Sequence, residues 1–172
     1  MSNKIKILYT IPNFNTAGSA KVVYDLVKGL DKEKFAPEIC CRHSEGAFFK
    51  EVQKLNVPIH IFNSTTELKP YISFPIRLLK IIFFFRKHNF DLIHSWHWSS
   101  DISEPLAAKL SGIKWAYTKK AMSWGSPKRW QLRSKLSSKI LVLNKDMLPK
   151  YFKKLEDKVE LVYLGIDPNK YI

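Results

Sequence analysis

KIKILYTI (residues 4–11) decides the fold of this chain, together with the PNFNTAG segment (12–18) and the SAKVVYDLVKGL segment (19–30) that follow it. The first is a short apolar run rich in Ile, Leu and Tyr. The second contains Pro, Asn and Gly, and the third carries apolar residues at helical spacing. This order predicts a strand, a loop and a helix.

The same unit recurs along the chain. Further strands are predicted at residues 36–42, 57–62, 91–95, 114–118, 139–143 and 159–163, and further helices at 45–55, 75–88, 101–110, 127–136 and 145–155. Short apolar strands that alternate with helices indicate a mainly parallel sheet covered on both faces. We therefore predict an α/β, Rossmann-like three-layer sandwich, with one domain over residues 1–164.

Composition limits the class of protein. With 172 residues and 45% hydrophobic content, the chain has enough apolar surface for one substantial core. Its two cysteines, Cys40 and Cys41, are adjacent in an apolar run, where a bridge between them would strain the backbone. They predict buried thiols in a reducing compartment.

No signal peptide is recognised, and the apolar stretch 71–85 is too short and too charged to span a bilayer, so we expect a cytoplasmic location.

The charge is strongly positive. The formal net charge is +14, and residues 114–154 hold twelve basic residues against the single acid Asp146. Such a surface is compatible with a solvated basic face, an anionic membrane, a phosphate-bearing substrate or nucleic acid. No helix-turn-helix, RNP signature or zinc finger is visible, which makes nucleic acid the least favoured partner.

The predicted helix near residues 76–87 bears on the membrane alternative. Arg77, Lys80 and Lys87 fall on one helical face near Phe84, beside a broad apolar surface. This pattern suits peripheral contact with anionic lipid. A core helix whose basic stripe is solvated is the alternative.

In parallel sheets, ligands bind beyond the carboxyl ends of the strands. Ala17, Gly18 and Ser19 form the first such place: a glycine before a helix lets backbone approach a ligand, and the helix N-terminus favours phosphate. A turn glycine with Ser19 as a simple N-cap is the alternative. Neither the dinucleotide fingerprint nor a P-loop is present.

The second place follows the strand at residues 91–95. His94, Trp96, His97 and Trp98 crowd the strand end, where aromatic rings suit stacking on a sugar or lipid headgroup and an imidazole suits hydrogen bonding to a hydroxyl. A structural role is the alternative for His94, whereas His97 is the better site candidate. No ligand spacing resembles a zinc site, so no metal is expected.

The third place follows the strand at residues 114–118. Lys119, Lys120 and Trp124 lie in a segment where cations alternate with aromatic residues. This combination suits a phosphate or pyrophosphate attached to an apolar group. A flexible basic loop is the alternative.

Four segments, taken in order, resemble the N-terminal domain of family 4 retaining glycosyltransferases. They are KILYTIPNFNTAGSAKVVYDLVKGL (6–30), DLIHSWHWSSD (91–101), KILVLNKDM (139–147) and VELVYLGIDPNKYI (159–172). The resemblance implies one half of a GT-B enzyme with two Rossmann-like domains. It further implies a nucleotide-sugar donor held mainly by the C-terminal domain, an acceptor held by the N-terminal domain, and chemistry that needs no metal or cofactor.

The resemblance also assigns roles to residues. Ala17, Gly18 and Ser19 take the position near the donor phosphates, although the family's usual Gly-Gly is Ala-Gly here. On the acceptor side it implies His94, Trp96, His97, Trp98, Lys119, Lys120 and Trp124. Lys120 stands where many members carry a histidine, and lysine is a poor general base. The catalytic residues are thus undetermined, with His97 and Lys120 as candidates.

The family's paired glutamates belong to its C-terminal domain, and no two glutamates of this sequence are eight residues apart. We therefore expect residues 165–172 to begin the linker to a missing C-terminal donor-binding domain, and the isolated domain to be inactive. The predicted reaction transfers a sugar to a saccharide or lipid-linked acceptor in cell-envelope polysaccharide or glycolipid biosynthesis. A basic module that binds nucleic acid or anionic membrane without catalysis is the alternative.

Overall fold

The computed structural model describes residues 4–15 and 17–165; of Ala17 it describes only the backbone. Its strands are β1 (Ile5–Thr10), β2 (Phe35–Cys41), β3 (Ile59–Ile61), β4 (Leu92–Ser95), β5 (Lys114–Lys119), β6 (Lys139–Val142) and β7 (Val159–Leu161). Its helices are α1 (Ala17–Gly29), α2 (Phe49–Gln53), α3 (Phe74–His88), α4 (Ser103–Leu110), α5 (Pro127–Leu136) and α6 (Met147–Tyr151), with 3-10 turns at Tyr71–Ser73 and Glu156–Lys158.

The seven strands form one sheet in the order β3-β2-β1-β4-β5-β6-β7. All of its strand pairings are parallel, with Leu8 of β1 opposite Glu38 of β2 on one side and Ile93 of β4 on the other. The chain builds outward from β1 to β3, then crosses back to add β4 on the other side of β1. This confirms the predicted Rossmann-like α/β sheet and places its switch point between β1 and β4.

Apolar side chains cover both faces of the sheet. On one face, Ile7 and Tyr9 pack with Val23 of α1 and Val52 of α2. On the other face, Leu8 and Ile93 pack beneath α3 to α6, through buried residues that include Leu78, Phe85, Ala107, Trp130 and Met147. Each such large side chain contributes about 1.5–3 kcal/mol when fully buried. The three-layer prediction is therefore confirmed.

The prediction that both thiols are buried is confirmed. Because successive strand residues point to opposite faces, Cys40 enters the core on one side of the sheet and Cys41 the core on the other. Both are buried and free. Burial raises the pKa of Cys40 well above its usual value and that of Cys41 to about 11.

Two helices are shorter than predicted. Helix α2 begins at Phe49, because Gly46 before it has φ +119 and packs against the backbone of Phe14, where an added Cβ would lie 2.5 Å from the carbonyl oxygen. Helix α6 spans Met147–Tyr151 instead of 145–155. Phe152 leaves helical geometry there, and its fully buried ring packs in the core.

Other boundaries differ less. Helix α1 includes Gly18, whose φ of −19° and ψ of −107° are not helical, so regular helix begins at the predicted Ser19. Strand β7 ends at Leu161, before an exposed Tyr163. The predicted linker lies outside the described residues from position 166 onward. Within the described residues, every helix is too short or too polar to traverse a bilayer.

Helix α3 exposes part of its apolar surface. Its buried residues are Leu78, Ile81, Ile82 and Phe85. A second set of large apolar side chains faces solvent, and we call it the α3 apolar face: Tyr71, Ile72, Ile76, Leu79 and Phe83, which are 61–95% exposed. The helix therefore packs on the core on one side, as the alternative of a core helix predicts, and also exposes large apolar side chains on another.

Arg77 does not belong to a free basic stripe. Its Nε donates to Thr66 Oγ1 at 2.8 Å, and its Nη2 donates to the carbonyl oxygens of Glu67 at 2.8 Å and Lys69 at 3.0 Å. It holds the loop before α3, whereas Lys80 and Lys87 remain exposed.

Candidate functional site

A cavity of about 390 Å³ opens at the carboxyl edge of the sheet, beyond β4 and β5. The Trp96 N–H donates to the Thr10 carbonyl at 2.7 Å, which ties the segment after β4 to the end of β1. The cavity lies beside the switch point for this reason. Its lining includes His97, Trp98, Thr118, Lys119, Lys120, Ala121, Ser123 and Trp130.

Lys120 joins the three predicted places. Its Nζ donates to Ser19 Oγ at 2.9 Å and to the Trp96 carbonyl at 2.7 Å. The same ammonium lies 5.5 Å from the Trp96 ring centroid and 5.4 Å from that of Trp98. Burial, and then the charge of Arg133, lower its pKa to about 8. A cation is thus held at the mouth of the cavity, directly beside α1.

Gly18 lies on the α1 side of this cation. It is exposed, and a Cβ added to it would meet nothing within 4 Å. The space beside Gly18 and Ser19 is therefore open to a ligand. The side chain of Ala17 lies outside the described part of the chain, so its predicted role stays a prediction.

The two tryptophans after β4 differ in exposure. Trp98 is 60% exposed and offers a ring face beside Lys120, as a stacking residue requires. Trp96 is 2% exposed and packs in the core beneath α1. In this position its indole is enclosed and cannot stack on a ligand, although its carbonyl and one face of its ring both lie near the Lys120 ammonium.

His94 is held within the sheet. Its Nε2 lies 2.9 Å from Thr118 Oγ1 on β5, and its ring packs between Tyr9 and Trp96, 5.4 and 5.3 Å away. Desolvation lowers its pKa to about 4, so it is neutral at pH 7. The geometry favours the structural interpretation of His94 over contact with an acceptor.

His97 borders the cavity but points into a buried polar cluster. Its side chain is 2% exposed, and its Nε2 lies 3.3 Å from Ser64 Oγ and 3.8 Å from Glu104 Oε1. Desolvation, followed by the charge of Arg133, lowers its pKa to about 3. The imidazole is therefore neutral, with a carboxylate close to it.

Glu104 is the centre of that cluster, and sequence analysis did not identify it. Its fully buried carboxylate accepts hydrogen bonds from Ser64 Oγ at 2.9 Å and Ser95 Oγ at 2.5 Å, and lies 3.9 Å from Arg133 Nη2. Arg133 also donates to the Asp101 carbonyl at 2.5 Å. These contacts hold α4, which carries Glu104, against β4 and α5. A sequence signal did exist, since Glu104 falls on the same helical face as buried Ala107 and Ala108.

Lys119 lines the cavity, whereas Trp124 lies in the same loop outside the lining. The Lys119 side chain donates to the carbonyl oxygens of Ala121 and Ser123, the latter at 2.7 Å, and thereby folds its own loop. Its Nζ also lies 4.9 Å from the Trp130 ring. Trp124 packs on Tyr151, with centroids 4.4 Å apart. Both residues thus have contacts that position the loop.

A larger groove of about 670 Å³ runs along the same edge of the sheet, past the loop after β3. Sequence analysis did not predict it. Its polar lining includes Arg42, Asn63, Thr65, Thr66, Arg77, Asp101 and Arg129. Arg42 Nη2 donates to Thr65 Oγ1 at 3.0 Å, which fixes the end of β2 to this loop. With its basic and hydroxyl groups, the groove has the chemistry of a saccharide or phosphate site.

A cavity beside the switch point of a parallel sheet, with a lysine held at it, defines a Rossmann-like ligand-binding domain. The family model of Glycosyltransferase Family 4 matches residues 16–170, so the chain belongs to this family. No curated protein matches the sequence.

Solved structures share this fold. A glycosyltransferase from Rickettsia africae superimposes with a TM-score of 0.75 at 21% identity, over 99% of this chain and 45% of that one. HepE from Anabaena, in complex with UDP and glucose, gives 0.70 at 16% identity, over 97% and 46%. MnaA from S. aureus, solved with UDP, gives 0.67 at 17% identity, over 97% and 47%. The chain thus spans less than half the length of these proteins.

Proposed function

We propose that this chain is the N-terminal, acceptor-side half of a retaining GT-B glycosyltransferase, which transfers a sugar from a nucleotide-sugar donor. The carrying observation is the placement of Lys120, whose Nζ bridges Ser19 beside the open Gly18 and the segment that bears Trp98. The donor is held mainly by a second domain, and Gly18, Ser19 and Lys120 contact its phosphates. Ala17 lies beside them in the sequence and is included on that basis.

The charge of Lys120 supports this role. At pH 7 a lysine with a pKa of about 8 is still mostly protonated, and an arriving phosphate would raise that pKa. Its two present acceptors are neutral oxygens, which a phosphate oxygen would replace as a stronger acceptor. The complexes of HepE with UDP and UDP-glucose agree with such a donor.

The acceptor side comprises Trp98, Lys119, Lys120 and the larger groove, with His97 as the candidate that moves a proton. The imidazole of His97 is neutral in its buried position beside Ser64 and Glu104, but a pKa of about 3 makes it a weak base there. To act, it must turn from the buried cluster toward the cavity. We propose that the transfer uses no metal or cofactor, and that this half alone is inactive.

We further propose a lipid-linked acceptor of the cell-envelope polysaccharide or glycolipid type, reached from the inner face of a membrane. The α3 apolar face supports this proposal, because its exposed aliphatic and aromatic side chains lie beside Lys80 and Lys87. Apolar groups flanked by cations match an anionic lipid surface. On this proposal the protein is cytoplasmic and peripheral to the membrane.

The donor site is tested by titrating UDP into the chain labelled with ¹⁵N. We expect UDP to change the chemical shifts of Gly18, Ser19, Trp98 and Lys120. Lys120→Met should weaken the affinity for UDP at least about tenfold, since charged hydrogen bonds are worth about 1.5–3 kcal/mol. Lys128→Met is the matched control, because Lys128 is exposed on α5 and lies outside the cavity lining. Shifts confined to other surfaces, or equal effects of the two variants, would contradict the assignment.

The reaction itself requires the polypeptide that carries this chain together with its donor-binding half. Incubated with radiolabelled UDP-sugars and membrane lipid extracts, it should label an organic-soluble product whose anomeric configuration matches the donor. A product of inverted configuration would exclude the retaining mechanism, and label found only in water-soluble material would exclude the lipid-linked acceptor.

A further inference from the structure

A second group of chemically active side chains lies far from the cavity. Glu38 of β2, His60 of β3 and His88 at the end of α3 each offer one donor atom, and these atoms lie within 4.8 Å of one another. His88 precedes β4 whereas Trp96 follows it, so the group and the cavity lie at opposite ends of that strand. The three residues are separated by 22 and 28 positions, which conceals the group in the sequence.

The geometry points to a transition-metal site, and we propose that Glu38, His60 and His88 bind one Zn²⁺-like cation. Two imidazoles and one carboxylate are a donor set that Zn²⁺ accepts, with a water as fourth ligand. His60 Nε2 already lies 2.5 Å from Glu38 Oε2, and the rings of His60 and His88 are 4.4 Å apart. The residues sit on three separate elements that pack against one another.

Binding needs only a small rearrangement. Tetrahedral Zn²⁺ holds its ligands at about 2.0–2.2 Å, so the donor atoms must lie roughly 3.3 Å apart. The contact between His60 and Glu38 opens to admit the cation, and the neutral His60 ring carries its one proton on Nδ1, so that the Nε2 lone pair faces the cation. Because the donor atoms lie within 4.8 Å of one another, their widest spacing closes by at most about 1.5 Å, which is within the reach of side-chain rotation.

Surrounding contacts orient the group. Lys6 Nζ pairs with Glu38 Oε1 at 2.9 Å and donates to the His88 carbonyl at 2.7 Å, which leaves Oε2 directed at the histidine. Phe84 packs edge-on against His60, 5.3 Å away. The ammonium of Lys6 opposes a cation, so binding is weaker than at a site that lacks it. The His60 side chain is 18% exposed, so a cation in solvent can reach it.

A cation here would act as a clamp. It would join β2, β3 and the end of α3, and it would play no part in transfer at the distant cavity. This proposal is independent of the proposed function, because it uses none of the residues of the donor or acceptor side.

The test is a titration of the metal-free chain with Co²⁺ and Zn²⁺. We expect one equivalent of Co²⁺ to give the visible absorption of a tetrahedral site, displacement by Zn²⁺, and a higher thermal midpoint with Zn²⁺. His60→Ala and His88→Ala should each weaken binding at least about tenfold, whereas His43→Ala, outside the group, should not.

Three outcomes would overturn the proposal: binding without a defined stoichiometry, unchanged affinity in the His88→Ala variant, or equal loss in the His43→Ala variant. If His60→Ala fails to fold, His88→Ala still decides, since His88 is half-buried at a helix end and its ring only borders the core.

Discussion

Phe83→Ser on the α3 apolar face tests whether this chain docks on anionic membranes. The Phe83 side chain is 69% exposed in the free protein. Full transfer of such a side chain out of water is worth about 3 kcal/mol at most, so about 2 kcal/mol is available when the exposed part enters lipid. Its loss corresponds to a partition coefficient about 30-fold lower.

Charge adds a smaller contribution. Lys80, which lies beside Phe83 at the α3 apolar face, should contribute about 1 kcal/mol near an anionic surface, so Lys80→Gln should lower binding about fivefold. This contribution should weaken with salt, whereas the effect of Phe83→Ser should persist.

The assay is sedimentation with vesicles of phosphatidylcholine, with and without phosphatidylglycerol. Leu132→Ser is the matched control, since Leu132 is 44% exposed on α5, a different helix. Equal pelleting with neutral and anionic vesicles would refute the reasoning. So would equal losses in the Phe83→Ser and Leu132→Ser variants, because the basic segment around α5 would then be the contact.

Two further predictions concern the interior. Glu104→Ala leaves Arg133 buried without its carboxylate and should lower the free energy of unfolding by about 3–5 kcal/mol in urea denaturation, while exposed Glu33→Ala should change it little; similar values for the two variants would show that the buried pair is dispensable. The thiols of Cys40 and Cys41 should resist an Ellman-type reagent at pH 8, because burial raises both pKa values, to about 11 for Cys41, and they should react once guanidinium unfolds the chain; rapid reaction of the native chain would contradict the burial.

The sheet was predictable because periodicity and turn residues are local signals. Each end of the seven strands lies within two residues of the predicted end. The short α2 was not predictable, since its start depends on Gly46 meeting the backbone of Phe14, a contact between distant residues. Tertiary packing likewise ends α6 at Phe152, where local propensity favours a longer helix.

The candidate site was predictable to a similar extent. Residues placed after strands meet at one edge whatever their sequence separation, and the bond from Lys120 to Ser19 joins two of the predicted places. Exposure was not predictable, because Trp96 and Trp98 look alike in sequence and only Trp98 is exposed. The partners of Glu104 come from four other segments, which no local pattern records.

The direction of α3 determines which of its ends lies near the cavity. Its last residues lead into the start of β4, so its first turn lies at the carboxyl edge of the sheet, where the cavity opens. A helix of 15 residues is about 22 Å long. A chain resting on Tyr71 and Ile72 would hold its cavity at the level of lipid headgroups, whereas one lying along the whole of α3 would turn the cavity sideways. The loss of binding expected for Phe83→Ser requires the second orientation, because Phe83 lies in the second half of α3 and would stay out of lipid in the first.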